Sequence, residues 1–201
     1  MTARLLVVCV CALAYVGCGA SNEPPAEPAE PTAPAAPATG PVAPPTTDEG
    51  MIASAVSAAP ASIANGATIL AFDAQMQPRT LREGTNGWTC LPDMAHTPGT
   101  DPMCLDAGGM AWAQAWMAHT DPPADTMGFG YMLMGGSDAS NADPFATAPP
   151  EGGTWVDTGP HVMIFNIGDK FPGYPTDSSD TSRPYVMFPG TPYAHLMIPI
   201  K

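Results

Sequence analysis

Between residues 128 and 200 the chain repeats short apolar runs, GFGYMLMGG, HVMIFN, PYVMF and AHLMIPI, each bounded by Gly, Pro, Asn or Asp. Runs of this length and punctuation predict four strands. Period-two alternation puts Met132 and Met134 on one face of the first strand and His161, Met163 and Phe165 together on the second. It puts Tyr185 and Met187 together on the third, and His195 and Met197 together on the fourth. The opposite faces carry Val162, Ile164, Val186, Phe188, Leu196, Ile198 and Ile200. Both faces are therefore apolar, and the sheet is expected to be covered by helices on one side and by long loops on the other. Pro189 and Gly190 of PGTP fit the central positions of a type II turn joining the last two strands.

Upstream, DEGMIASAVSAAP predicts a short helix with acids at its positive end and Pro60 as its stop. ATILAFD predicts a strand. TLREGTNGWTCL places Asn86-Gly87 between strand-like flanks and predicts a hairpin, because both residues tolerate positive φ. LDAGGMAWAQAWMAH predicts a helix capped by Asp106, with Trp112 and Trp116 one turn apart. Only Gln114 breaks its apolar circumference, so this helix is expected to be buried on most sides or to meet a partner. Residues 50–201 are long enough for one domain with a sizeable core, and nothing in them reads as a second linker. The fold class expected is α+β: a mainly antiparallel sheet with one or two helices packed on it, loop-rich and closed by one disulfide.

The first residues, MTARLLVVCVCALAYVGC, put Arg4 ahead of an apolar run too short to span a bilayer but suited to the core of a secretory signal, 1–17. The end of that run, AYVGC, resembles the lipobox of bacterial lipoproteins, in which the Cys is acylated and the signal is cut just before it. Tyr15 stands where that family usually has Leu. The resemblance implies lipidation at Cys18, membrane attachment through the lipid, and a place in the cell envelope. Gly19 rather than Asp, by the enterobacterial sorting rule, implies the outer membrane, at its periplasmic or surface face. Residues 18–49 are rich in Pro, Ala, Glu and Thr with no aromatic residue, so they cannot fold alone. Closely spaced prolines favour polyproline II at ~3.1 Å per residue, making a spacer on the order of 90 Å. LREGTNGWTCLPD, with DPMCLD after it, also looks like a run found in uncharacterised secreted bacterial proteins, a likeness that implies no activity.

Five cysteines would leave an odd thiol in an oxidising compartment. Cys9 and Cys11 leave with the signal and Cys18 takes the lipid, so Cys90 and Cys104 remain to form a disulfide across a loop too rich in Pro, Gly and Asp to order itself. Closing that loop contributes roughly 3 kcal/mol in the chain-entropy account. A Cys/His metal site using His96 is the alternative, short of the four ligands structural zinc requires. The formal charge of −13 argues against nucleic acid and anionic head groups as partners. It leaves an unknown protein or a small ligand.

Two His-x-Met-Ile runs near the C-terminus pose the main chemical question: a metal site, or two strands built alike. Alternation puts His161 with Met163 and His195 with Met197, and imidazole plus thioether suits copper. Against this, Met is a flexible core filler, and the thirteen methionines are scattered along the chain instead of forming Met-x-x-Met repeats. The strand reading is preferred. In GGSDASNADPF, the oxygens of Asp138, Asn141 and Asp143 are a candidate site for calcium or a polar ligand, with Trp155 at the far end of the same long loop. No Gly-x-Ser-x-Gly, phosphate-cradling loop or His-Glu-x-x-His occurs. The expected function is a lipid-anchored acidic binding or structural module, with no catalytic residue assigned and no cofactor expected. The alternatives are a periplasmic binder of copper or another soft metal, and an enzyme with its site in the 135–160 loop.

Overall fold

The computed structural model describes residues 43–167 and 173–200, so the expected signal, Cys18 and most of the Pro-rich tract lie outside the described residues. The described chain is one α+β domain. It comprises α1 (Asp48–Ser57), α2 (Ala61–Ala64), β1 (Thr68–Phe72), β2 (Pro78–Arg82), β3 (Thr89–Leu91), β4 (Met103–Leu105), α3 (Ala107–Met117), β5 (Gly128–Met132), β6 (Ser137–Asp138), β7 (Val156–Asp157), β8 (His161–Phe165), β9 (Tyr185–Met187) and β10 (His195–Pro199). Eight strands form one sheet in the order β2-β1-β3-β4-β5-β8-β10-β9, and β6 and β7 pair separately. Every neighbouring pair in the large sheet is antiparallel except β1 with β3. No helix among the described residues is long and apolar enough to cross a membrane.

Both main helices start where their capping side chains dictate. The Thr47 hydroxyl accepts from the Gly50 N–H at 3.1 Å, with Asp48 and Glu49 in the first turn of α1. The Asp106 carboxylate accepts from the Gly109 N–H of α3 at 2.8 Å and also from the Phe129 N–H of β5 at 2.9 Å, tying helix to sheet. Pro60 ends nothing abruptly; it precedes a second, four-residue helix, α2.

Helices cover both faces of the sheet, not one as expected. Alternation along β4 separates them: Cys104 faces the cluster of Ala55, Ala58, Ala64 and Ala67 from α1, α2 and the turn after them, while Leu105 faces Trp112 of α3. Cys90 and Cys104 pair directly across β3 and β4 and are disulfide-bonded, as expected. Helix α3 can lie close because glycines meet at the contact: a Cβ on Gly128 would fall 2.2 Å from the Gly109 nitrogen. Its buried face is Gly108, Gly109, Trp112, Ala113 and Ala115, whereas Trp116 and Met117 are exposed, so burial on most sides is not what the helix achieves.

Three local expectations fail for a shared reason, a backbone turn that alternation does not register. The Asn86-Gly87 hairpin does not form, although Gly87 does adopt φ 79°. Strands β2 and β3 flank β1 on opposite edges instead of pairing. The connection wraps the end of β1, with Thr85 N–H bonded to the Gly66 carbonyl at 2.8 Å and the Asn86 amide to the Ile63 carbonyl at 2.8 Å. Strand β9 ends at Met187, and Phe188 follows at φ 54°, which turns its ring onto the His/Met face with Trp112 instead of the opposite one. Likewise β5 ends at Met132, so Met134 belongs to the following turn. The bond from Thr191 N–H to the Phe188 carbonyl, with Gly190 at φ 77°, closes the turn expected at PGTP.

Candidate functional site

The two His-x-Met strands are built alike, and being built alike brings their side chains together. Strands β8 and β10 lie side by side and antiparallel, with Met163 directly opposite Met197. His161 precedes Met163 by two residues and His195 precedes Met197 by two, so the imidazoles stand at opposite ends of the methionine pair on the same face. Glycines keep that face open: Gly130 lies beside Met163, where a Cβ would strike Leu105, Met163 and Phe165.

All four side chains line one cavity of about 210 Å³. Met132 and Met187 come from the sheet, Phe188 from the turn after β9, Trp112 and Trp116 from α3, and Met94, His96, Thr97, Asp101 and Met103 from the segment leading through β4, with Ser137 and Asp138 from β6. Six of the thirteen methionines therefore surround one space, although they are scattered in sequence. His96 and the 39 %-exposed Trp116 mark its open side.

Each histidine makes the same local bond. His161 Nδ1 sits 2.7 Å from the Gly159 carbonyl and His195 Nδ1 3.0 Å from the Tyr193 carbonyl. A carbonyl only accepts, so Nδ1 carries the proton, and in the neutral ring Nε2 is left as a lone pair. Both rings are held neutral by burial: His161 is pushed below the ordinary imidazole range, and His195 is pushed down to about 4. The His195 ring sits among Trp112, Phe165 and Phe188, at centroid distances of 5.0, 5.2 and 5.5 Å. His161 is 1 % exposed and its Nε2 has no partner; the buried Trp112 Nε1 and Thr97 Oγ1, around the same cavity, also have none. A buried polar atom left unpaired costs about 1–3 kcal/mol, so three around one space need a reason.

Two carboxyls complete the wall. Asp101 accepts from the Ser137 N–H at 2.8 Å, yet burial, reinforced by the charges of Asp93 and Asp138, pushes it up to about 7. Burial likewise pushes Asp138 up to about 6. The segment is braced by the Asp93 carboxylate accepting from the Asp101 N–H and by Ser137 Oγ accepting from the Gly99 N–H, both at 2.9 Å.

No family model, curated protein or solved structure matches the chain. The site therefore rests on its own geometry.

The loop candidates are not brought together. Asp138 reaches the cavity, but Asn141 spends its amide on the Thr176 and Val186 carbonyls at 3.0 and 3.4 Å, pinning the loop to β9. Asp143 caps its own turn by accepting from the Phe145 N–H at 2.9 Å, and Trp155 is half-buried away from the cavity lining. The enzyme arrangement needed Asp138, Asp143 and a nearby histidine in one cleft, and the cavity lining holds Asp138 with His96 and His161 but not Asp143. The Cys/His alternative at His96 is removed, because both cysteines are in a disulfide. Among the described residues no three His, Cys, Asp or Glu side chains group as a metal site. Sequence reasoning missed Trp112, Phe188, Asp101 and the other cavity methionines; the abundance of Met was the only signal, and it was discounted.

Proposed function

We propose that this domain is a binding module of the bacterial cell envelope, carried on an acylated Cys18 and the Pro-rich spacer, and that its ligand occupies the 210 Å³ cavity. The observation that supports this reading is the set of unpaired polar atoms, His161 Nε2, Trp112 Nε1 and Thr97 Oγ1, around a largely apolar space. Small ligand sites have this character: an apolar wall with a few convergent polar groups and shifted ionisations. The acidic surface and the lipobox-like AYVGC support an exposed, anchored module that avoids anionic partners.

The test is methionine-methyl ¹³C NMR on the full chain with its first three cysteines replaced by serine, titrated with a panel of metal ions, small amines and small aromatic compounds. One ligand class is expected to move the signals of Met163, Met187 and Met197 while leaving the exposed Met76 and Met127 in place. If no member of the panel moves the cavity methyls, the reading fails.

A further inference from the structure

We propose that the ligand is a single Cu(I) ion, held by the thioethers of Met163 and Met197 and by Nε2 of His161, with His195 facing it from the other end of the methionine pair. This rests on the binding-module reading and names its ligand class. The register supplies the donors: Met163 and Met197 are directly opposed, and each is flanked on its own strand by a histidine whose Nδ1–H is fixed on a backbone carbonyl. Fixing the second nitrogen in this way orients the ring and leaves the Nε2 lone pair free, which is how histidine is presented to a metal.

The donor set selects the ion. Hard or borderline divalent ions take carboxylate, imidazole and thiolate in groups of three or more, and no such group occurs among the described residues. Thioether with imidazole is a soft set that suits monovalent copper. Charge balance points the same way. Asp138 opens into the cavity, while the described arginines are engaged elsewhere: Arg79 on Asp48, Arg82 on the Ala64 and Ala67 carbonyls, and Arg183 on Asp180.

The experiment uses the full chain with Cys9→Ser, Cys11→Ser and Cys18→Ser, so that the only cysteines left are disulfide-bonded and no thiol competes. Cu(I) is titrated anaerobically against a chromophoric Cu(I) chelator, and the loaded protein is examined by X-ray absorption at the copper edge. One ion per chain is expected, with two sulfur neighbours and at least one nitrogen. The Met163→Leu/Met197→Leu variant conserves volume, and it is expected to weaken Cu(I) by about 100-fold or more without a change in fold. An absence of sulfur neighbours, equal binding by the Leu variant, or Zn(II) competing on equal terms would each overturn the copper assignment. If Cu(I) leaves the cavity methyls unmoved while another member of the panel shifts them, copper is wrong and the binding module stands. If nothing shifts them, both fall.

Discussion

The two halves of the sheet are packed in opposite ways. On the α1–α2 side the core is made of small residues, Ala55, Ala58, Ala64 and Ala67, closed over Ile69 and the fully buried Cys90–Cys104 disulfide. Its polar groups are answered: the Arg82 guanidinium donates to the Ala64 and Ala67 carbonyls, and Ser54 Oγ accepts from the Asp93 N–H. On the α3 side the residues are large and flexible, and every described buried polar side-chain atom without a partner lies in that half or in the loops joined to it. A core of Ala and cystine gains stability from close approach. A core of Met, Trp and His leaves a space and tolerates unpaired nitrogens, which lowers stability and keeps binding groups available.

The largest test of that contrast is the disulfide. Replacing both partners, Cys90→Ala/Cys104→Ala, is expected to lower stability by about 3 kcal/mol. That would shift Tm by roughly 6–12 °C in a domain of this size, measured by calorimetry. Binding at the cavity should survive wherever the protein is still folded, because the bridge lies on the other face; loss of both together would mean that the halves are one unit.

A smaller effect is expected from Gly128→Ala, which sets a Cβ against the Gly109 nitrogen and Gly108 carbon at 2.2 and 2.4 Å and lifts α3. We expect about 2–3 kcal/mol from urea midpoints. We also expect ligand affinity to fall, because Trp112 moves with the helix. An unchanged affinity would remove Trp112 from the site.

A third test concerns pH, through the buried groups that line the cavity. The buried histidines refuse protons that the unfolded chain accepts, so their contribution to stability is present above about 6.5 and is lost as pH falls, for His195 toward about 4. Asp101 and Asp138 have the opposite sign. With folded values of about 7 and 6 against 3.8, the fold holds protons the unfolded chain has released, and stability falls as pH rises from about 4 to 7. The slopes oppose one another. Asp101→Asn removes one of them, so stability measured by urea unfolding should increase with pH more steeply, by up to about 1.4 kcal/mol per pH unit between 4 and 7. An unaltered slope would mean that this carboxyl is not buried as described.

Much of the fold was legible. The caps at Asp106 and in the first turn of α1, the four C-terminal strands and the disulfide follow from local chemistry, since a cap or an alternation is decided by residues a few positions apart. The hairpin at Asn86-Gly87 misled because a turn signal states that the chain reverses, not what it reverses against; Gly66 and Thr68 hold that segment instead of the next strand. Phe188 was placed on the wrong face because one residue at positive φ resets the alternation. The site was half legible. His161, Met163, His195 and Met197 share a face by period alone, but their sharing a cavity depends on β8 lying next to β10, 30 residues later in the chain.

The amino-acid sequence by itself determined that the four C-terminal runs form strands, that His161 shares a face with Met163 and His195 with Met197, and where α1 and α3 begin, because each of these is set by near neighbours. Only the tertiary structure decided that six distant methionines and two aspartates surround one space, and that the loop carboxylates Asp138 and Asp143 part company. Strand order and register are long-range choices, fixed by which surfaces fit together, and no period in a sequence records them.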